Sequence, residues 1–286
     1  MKLKFYGVRG SAPSANKNAL KYGGNTPCIY VQTDNNFHLI LDAGTGIIEL
    51  GEKLINDNKP IYILLSHNHW DHIQGFPFFR PIYQENREIT IIPGLTTPYE
   101  PNAILKQFSG SYFPISAQQL AANIVIKQYP NLNEVIYLGN LTIHRRILNH
   151  PNDGCAYLIK NSKNTFAYIT DNELFPPSAT KTSIKQWQQL LSTVDLLIHD
   201  AQYQQSDFPK KLGWGHSEIT QVIALAIKAK VKNLCLFSHD HLRSDKEIED
   251  IIQYKINELK KEGQELNIFP AQENNVFSFS NDSKSK

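Results

Sequence analysis

Ser66-His67-Asn68-His69-Trp70-Asp71-His72 puts four potential metal ligands, His67, His69, Asp71 and His72, into six residues. The stretch directly follows the apolar, strand-like run Ile61–Leu65. On an extended strand end, residues two apart point the same way, so His67 and His69 can reach one metal ion. Asp71 and His72 lie past the turn and can face a second ion beside it. A mix of imidazole and carboxylate suits zinc, manganese or iron; a thiolate site would need cysteines, and this stretch has none.

Working outward, β-rich runs dominate the first half: Leu3–Tyr6, Cys28–Gln32, His38–Leu41, Ile61–Leu65, Ile89–Ile92, Ile124–Ile126, Val135–Leu138 and Leu141–Ile147. The second half continues with Cys155–Ile159, Phe166–Thr170, Leu196–His199 and Asn233–Phe237, and closes with Asn267–Phe269 and Val276–Phe279. Apolar residues at helical spacing appear later. Trp187, Leu190, Leu191 and Val194 form one such set, and Ile219, Val222, Ile223, Ala226 and Ile227 a second. In a third, Ser244 and Glu247 make a capping box ahead of Ile248, Ile251, Ile252, Ile256 and Leu259, with Gly263 just past the end. Strands first, then strands alternating with helices, predict two packed mixed sheets with helices outside: one layered α/β domain over residues 1–280. Asn281 to Lys286 reads as a disordered tail.

Composition limits the function classes. The chain has 286 residues, a 41% hydrophobic and a 20% charged share, which is ordinary globular usage. A net charge of +2 gives no field for wrapping nucleic acid or an anionic membrane surface. No apolar run approaches the ~20 residues of a membrane helix. Met1–Tyr6 lacks the apolar stretch of a secretory signal. Cys28, Cys155 and Cys235, odd in number and each in an apolar run, read as reduced, buried thiols of a cytoplasmic protein.

The opening stretch resembles the His-x-His-x-Asp-His signature of the metallo-β-lactamase fold superfamily. Other motifs agree in order and type. Leu39-Ile40-Leu41-Asp42-Ala43-Gly44 looks like the strand and turn ahead of the signature. His150, in Leu148-Asn149-His150-Pro151, matches the third histidine of metal 1. Asp171, in Tyr168-Ile169-Thr170-Asp171, matches the bridging carboxylate, and His239, in Phe237-Ser238-His239-Asp240, matches the last histidine of metal 2. The resemblance implies a four-layer αββα sandwich and two divalent ions, zinc by default with manganese or iron as alternatives. It gives metal 1 His67, His69 and His150, gives metal 2 Asp71, His72 and His239, and bridges them with Asp171 and a water or hydroxide. His241, two residues on, is the alternative to His239. Alone, His150 and His239 would read as hydrogen-bonded core residues and Asp171 as a helix N-cap. The redox di-iron branch carries Glu between the two signature histidines; Asn68 stands there in this chain, which points to hydrolysis.

Gly213-Trp214-Gly215-His216-Ser217-Glu218 resembles the Gly-His-Ser motif of the phosphodiesterase branch, which includes ribonuclease Z and cyclic phosphodiesterases. The resemblance places His216 at the scissile phosphate, assisting the departing oxygen, with Asp71 the second catalytic residue and a metal-bridging hydroxide as nucleophile. Asp200, after His199, matches the carboxylate that supports that histidine; His199 itself reads as structural or catalytic. Ribonuclease Z carries a tRNA-gripping arm between its third histidine and bridging Asp. Here 21 positions separate His150 from Asp171, room for a hairpin only. With the low net charge, a small or cyclic phosphodiester is expected in preference to tRNA. A carbonyl hydrolase (lactonase or thioesterase), a ribonuclease Z-like nuclease and a non-catalytic metal scaffold stay open, as does a homodimer. Arg9 and Asn25, in glycine-containing turns, are either substrate contacts or turn residues. The 94–128 segment, with Tyr99, Phe108, Tyr112, Phe113 and Pro114, is expected to wall the metals or fill the core. Asp42-Ala43-Gly44-Thr45-Gly46 is no dinucleotide loop, because Glu49 stands where a third glycine belongs.

Overall fold

The β-rich runs become strands and assemble into two seven-stranded sheets. The computed structural model describes residues 1–279; the tail expected at 281–286 lies outside them. The first sheet runs Val276–Ser278, Lys2–Gly7, Cys28–Gln32, His38–Leu41, Ile61–Leu64, Glu88–Ile92 and Asn123–Ile126. Its first three pairings are antiparallel and its last three parallel. The second runs Asn267–Pro270, Asn233–Phe237, Leu196–Asp200 and Thr165–Ile169 in parallel, then Cys155–Lys160, Leu141–Ile147 and Ile136–Leu138 in antiparallel. Parallel strands are buried on both faces, and Leu196–Asp200 has no exposed residue along its length.

The sheets pack face to face. Leu39, Leu41 and Leu64 from the first meet Tyr157, Tyr168, Ile198 and Phe237 from the second in one core cluster. The outer face of the second sheet is covered by helices Ile184–Leu191, Ile219–Lys228 and Asp245–Lys261 through Trp187, Val222 and Ile248. Ile47, Leu50, Phe76 and Phe79 cover the outer face of the first. Helix, sheet, sheet, helix is the expected four-layer order. The Ser244–Glu247 capping box forms, and Gly263 (φ 65°) ends that helix in the left-handed region.

One helix was not legible in the sequence. Gly46–Leu54 is an α-helix burying Ile47, Leu50 and Leu54, where no helical pattern stands out in the sequence. Gly46 is glycine because a Cβ there would collide with the backbone of Tyr6.

The parallel strands of both sheets end on the same side, and the polar residues follow their carboxyl ends. Asp42 follows His38–Leu41, His67 follows Ile61–Leu64, Asp171 follows Thr165–Ile169, and Ser238 follows Asn233–Phe237. Asp42 (58°), Asp171 (48°) and Ser238 (59°) all take left-handed φ values, turning the chain sharply off its strand.

Candidate metal centre

Five imidazoles stand at this end with one ring nitrogen turned inward. His67 Nδ1 lies 3.0 Å from Ser66 Oγ, leaving Nε2 buried and without a partner. Nδ1 of His150 donates to the carbonyl of Gly215 at 2.9 Å, and its Nε2 faces Nδ1 of His69 at 3.0 Å. His72 donates from Nδ1 to Asp42 (2.9 Å) and turns Nε2 to Asp171 and Asp71, each at 3.2 Å. His216 Nδ1 donates to Asp200 at 3.1 Å. A histidine with one nitrogen tied to an oxygen and the other free is the usual state of a metal-ligating imidazole.

The inward atoms fall into three overlapping groups: His67, His69 and His150; His67, His72 and Asp171; and His150, Asp171 and His216. Asp171 joins two of them. Its Oδ2 lies 3.2 Å from His72, 3.7 Å from His67 and 3.8 Å from His150, whereas Oδ1 accepts from the hydroxyl of Thr170 at 2.9 Å. Asp71 Oδ2 also accepts the backbone N–H of Ser11 at 2.9 Å.

The electrostatics suit a cation. Burial, then the neighbouring imidazoles, hold His67 well below its ordinary value, and burial takes His150 down to about 4. Both are therefore neutral at pH 7, the form that binds metal. Burial opposes charge at His72, but Asp71, Asp171 and Asp42 overcome it and raise the pKa well above the ordinary value. That carboxylate field attracts a proton or a metal ion. His216 is likewise raised, to about 9, because Asp200 and Asp171 outweigh its burial. The orphaned His67 nitrogen, the neutral imidazoles and the carboxylates beside them fit a divalent metal ion.

The structure thus brings together His67, His69, His72, His150, Asp171 and His216, with Asp71 alongside. His239 is not among them. Its Nε2 donates to the carbonyl of Ala271 at 2.9 Å and its ring packs edge-on to Tyr22, so it lies off the cluster. The cause is one residue of strand phase: Ser238, not His239, takes the turn level with Asp171, to which its hydroxyl points at 3.5 Å. His241 does not replace it; its nearest carboxylate is Asp240 at 3.9 Å.

Arg9, in the two-residue strand Arg9–Gly10, and Asn25 are both tied up in structural contacts. The Arg9 guanidinium holds the carbonyls of Gly23, Asp240 and Arg243, and Asn25 is tied to Glu273. His199 is structural, its Nδ1 donating to the carbonyl of Asp200 at 2.6 Å. In the 94–128 segment, Phe108 and Phe113 pack into the core at 5.3 Å, while Thr96, Thr97, Pro98 and Glu100 wall a hollow of about 170 Å³ beside His67 and His69. Asp42 was undervalued in the sequence. It accepts from Ser66 N, Ser66 Oγ, Tyr168 and His72 at 2.6–2.9 Å, and the signal was its place ahead of the signature.

Comparison with known proteins agrees. Residues 38–239 match the family described as Beta-lactamase superfamily domain. A ribonuclease Z from Picrophilus torridus is 25% identical over 288 residues, covering 85% of this chain and 87% of its own. The metallo-β-lactamase fold protein YhfI from Bacillus subtilis superposes with a TM-score of 0.68 at 17% identity, covering 97% of this chain and 99% of its own. A diphosphatase of the PhnP family does so at 0.66 and 17%, covering 98% of each. At those identities the two structures show the shared fold alone.

Proposed function

The chain belongs to the Beta-lactamase superfamily domain family, and from that premise we propose that it is a metal-dependent phosphodiesterase acting on a small or cyclic phosphodiester. The observation that carries the reading is the Asp200–His216 pair: Nδ1 of His216 is fixed on Asp200 at 3.1 Å, and its inward nitrogen groups with His150 and Asp171. The kinship with a protein named ribonuclease Z supports phosphodiester chemistry. The stretch from His150 to Asp171 holds only the hairpin Cys155–Lys160 and Thr165–Ile169, which favours a small substrate over tRNA.

His67, His69 and His150 would hold one divalent cation, and His72, Asp71 and Asp171 would face a second. Such ions polarise a phosphoryl oxygen and make water nucleophilic at neutral pH. Zinc is the default for this donor set, and a cytoplasmic setting fits the three free, buried thiols Cys28, Cys155 and Cys235. The protein's own groups do the rest. Asp171 Oδ2 sits between the imidazoles and sets their spacing. Asp42 fixes His72, and Gly215 fixes His150. His216, held protonated against Asp200, gives its proton to the departing oxygen of the ester. Asp200 keeps the proton on Nδ1, so Nε2 is the atom that faces substrate.

The test is an assay of the purified protein with bis-p-nitrophenyl phosphate, 2′,3′- and 3′,5′-cyclic nucleotides, precursor tRNA and lactones. The reading expects turnover of the small phosphodiesters. Turnover confined to lactones overturns the phosphoryl assignment, and turnover confined to precursor tRNA overturns the substrate size.

A further inference from the structure

Resting on the metal centre proposed above, we infer that its two cation positions are unequal: one binds tightly through three histidines, and the other has His72 as its single imidazole because Ser238 stands where a second would be needed. The strands Thr165–Ile169, Leu196–Asp200 and Asn233–Phe237 lie side by side in parallel. The first ends at Asp171 and the third at Ser238, fully buried and with its hydroxyl 3.5 Å from Asp171 Oδ1. Any side chain completing a ligand set around His72 and Asp171 from that strand must therefore come from position 238. Serine is too short and, as a neutral hydroxyl, too poor a donor to replace an imidazole.

The next residue does not compensate. His239 has Nε2 committed to Ala271, and its backbone N–H is bound to the carbonyl of Val8 at 2.9 Å in the short pairing of His239–Asp240 with Arg9–Gly10. Bringing its ring inward would break both. Nor does His216 serve: it groups with His150 and Asp171, not with His72. The space is also filled. The Ser238 hydroxyl lies 3.4 Å from Gln202 Oε1, and a Cβ placed on Gly10 would strike both side chains. Asp171 is held the same way, its Oδ1 occupied by two hydroxyls and only Oδ2 left to face cations.

Titration of the metal-free, full-length protein with Zn²⁺ against a chromophoric chelator reads the two positions directly. One equivalent is expected to bind tightly and a second on the order of 100-fold more weakly, since even losing a partner of a ligand costs 10–100-fold. The variant H239Q is expected to give the same two steps. The double variant S238H/Q202A, which supplies an imidazole and the room for it, is expected to tighten the second step alone. Two equivalents of equal affinity in the wild type, loss of the second step in H239Q, or an unchanged second step in a folded double variant would each overturn the inference and leave the metal centre standing. Binding of no zinc at all would remove the metal centre and the proposed function with it.

Discussion

Asp42 and His72 are locked together in the interior, carboxylate to Nδ1 at 2.9 Å, with neither side chain exposed. The contact joins the end of one strand to the one-turn helix Trp70–Ile73 that carries the second half of the ligand stretch. Because that nitrogen is tied, the other can point only toward Asp171 and Asp71.

Weakening this lock tests its role in metal binding. Asp42→Asn keeps the size and tolerates the left-handed backbone, but it removes the charge and one acceptor from a carboxylate serving four donors. Metal affinity is expected to fall about 10–100-fold. A chelator competition showing unchanged affinity would count against Asp42 as the anchor of His72.

The part given to His216 can be separated from metal binding. His216→Ala and Asp200→Asn should each lower kcat about 10²–10⁴-fold on substrates with a nucleoside or alkyl leaving group. Bis-p-nitrophenyl phosphate, whose leaving group departs without a proton, should suffer much less, and metal content should stay the same. An equal loss on both kinds of ester would show that His216 does not deliver the proton.

Gly215 is fixed by its neighbours. It has φ of 85°, and a Cβ there would run into Nδ1 of His150. Gly215→Ala should cost about 1–3 kcal/mol from backbone strain alone and push His150 off the cluster. Dialysed protein should then retain less metal than the wild type. Equal retention would mean that the ring can move aside without leaving the site.

His199 links stability to pH. Burial takes its pKa from 6.5 down to about 4, against the weaker opposing pull of the Asp200 carbonyl. Between those values the unfolded chain binds a proton there that the folded chain does not. Its contribution is therefore present above about pH 6.5 and is lost as the pH falls toward 4. Urea unfolding of metal-free protein at several pH values should show a slope shallower in His199→Gln than in wild type by about 1.4 kcal/mol per pH unit. Parallel curves would contradict the assignment.

Much of this was legible in the residues. Alternating and continuous apolar runs give strands wherever one or both faces are buried, so both sheets could be read. The Gly46–Leu54 helix could not, because its glycines serve close approach to Tyr6 and Phe79 rather than a turn. His67 to His72 betray themselves by density, whereas His150 and Asp171 become readable only beside them. His239 misled because a histidine at a strand end looks the same in sequence whichever way the chain turns. The left-handed turn at Ser238 decides the direction, and nothing local to that residue signals it.

In the proposed centre, residues far apart in the chain enclose a cation between His67, His69 and His150. An anomalous difference map at the zinc edge, from crystals of the zinc-loaded protein, tests it most directly. A peak about 2.0–2.1 Å from His67 Nε2, His69 Nδ1 and His150 Nε2 is expected. A map with no peak among those three nitrogens would contradict it.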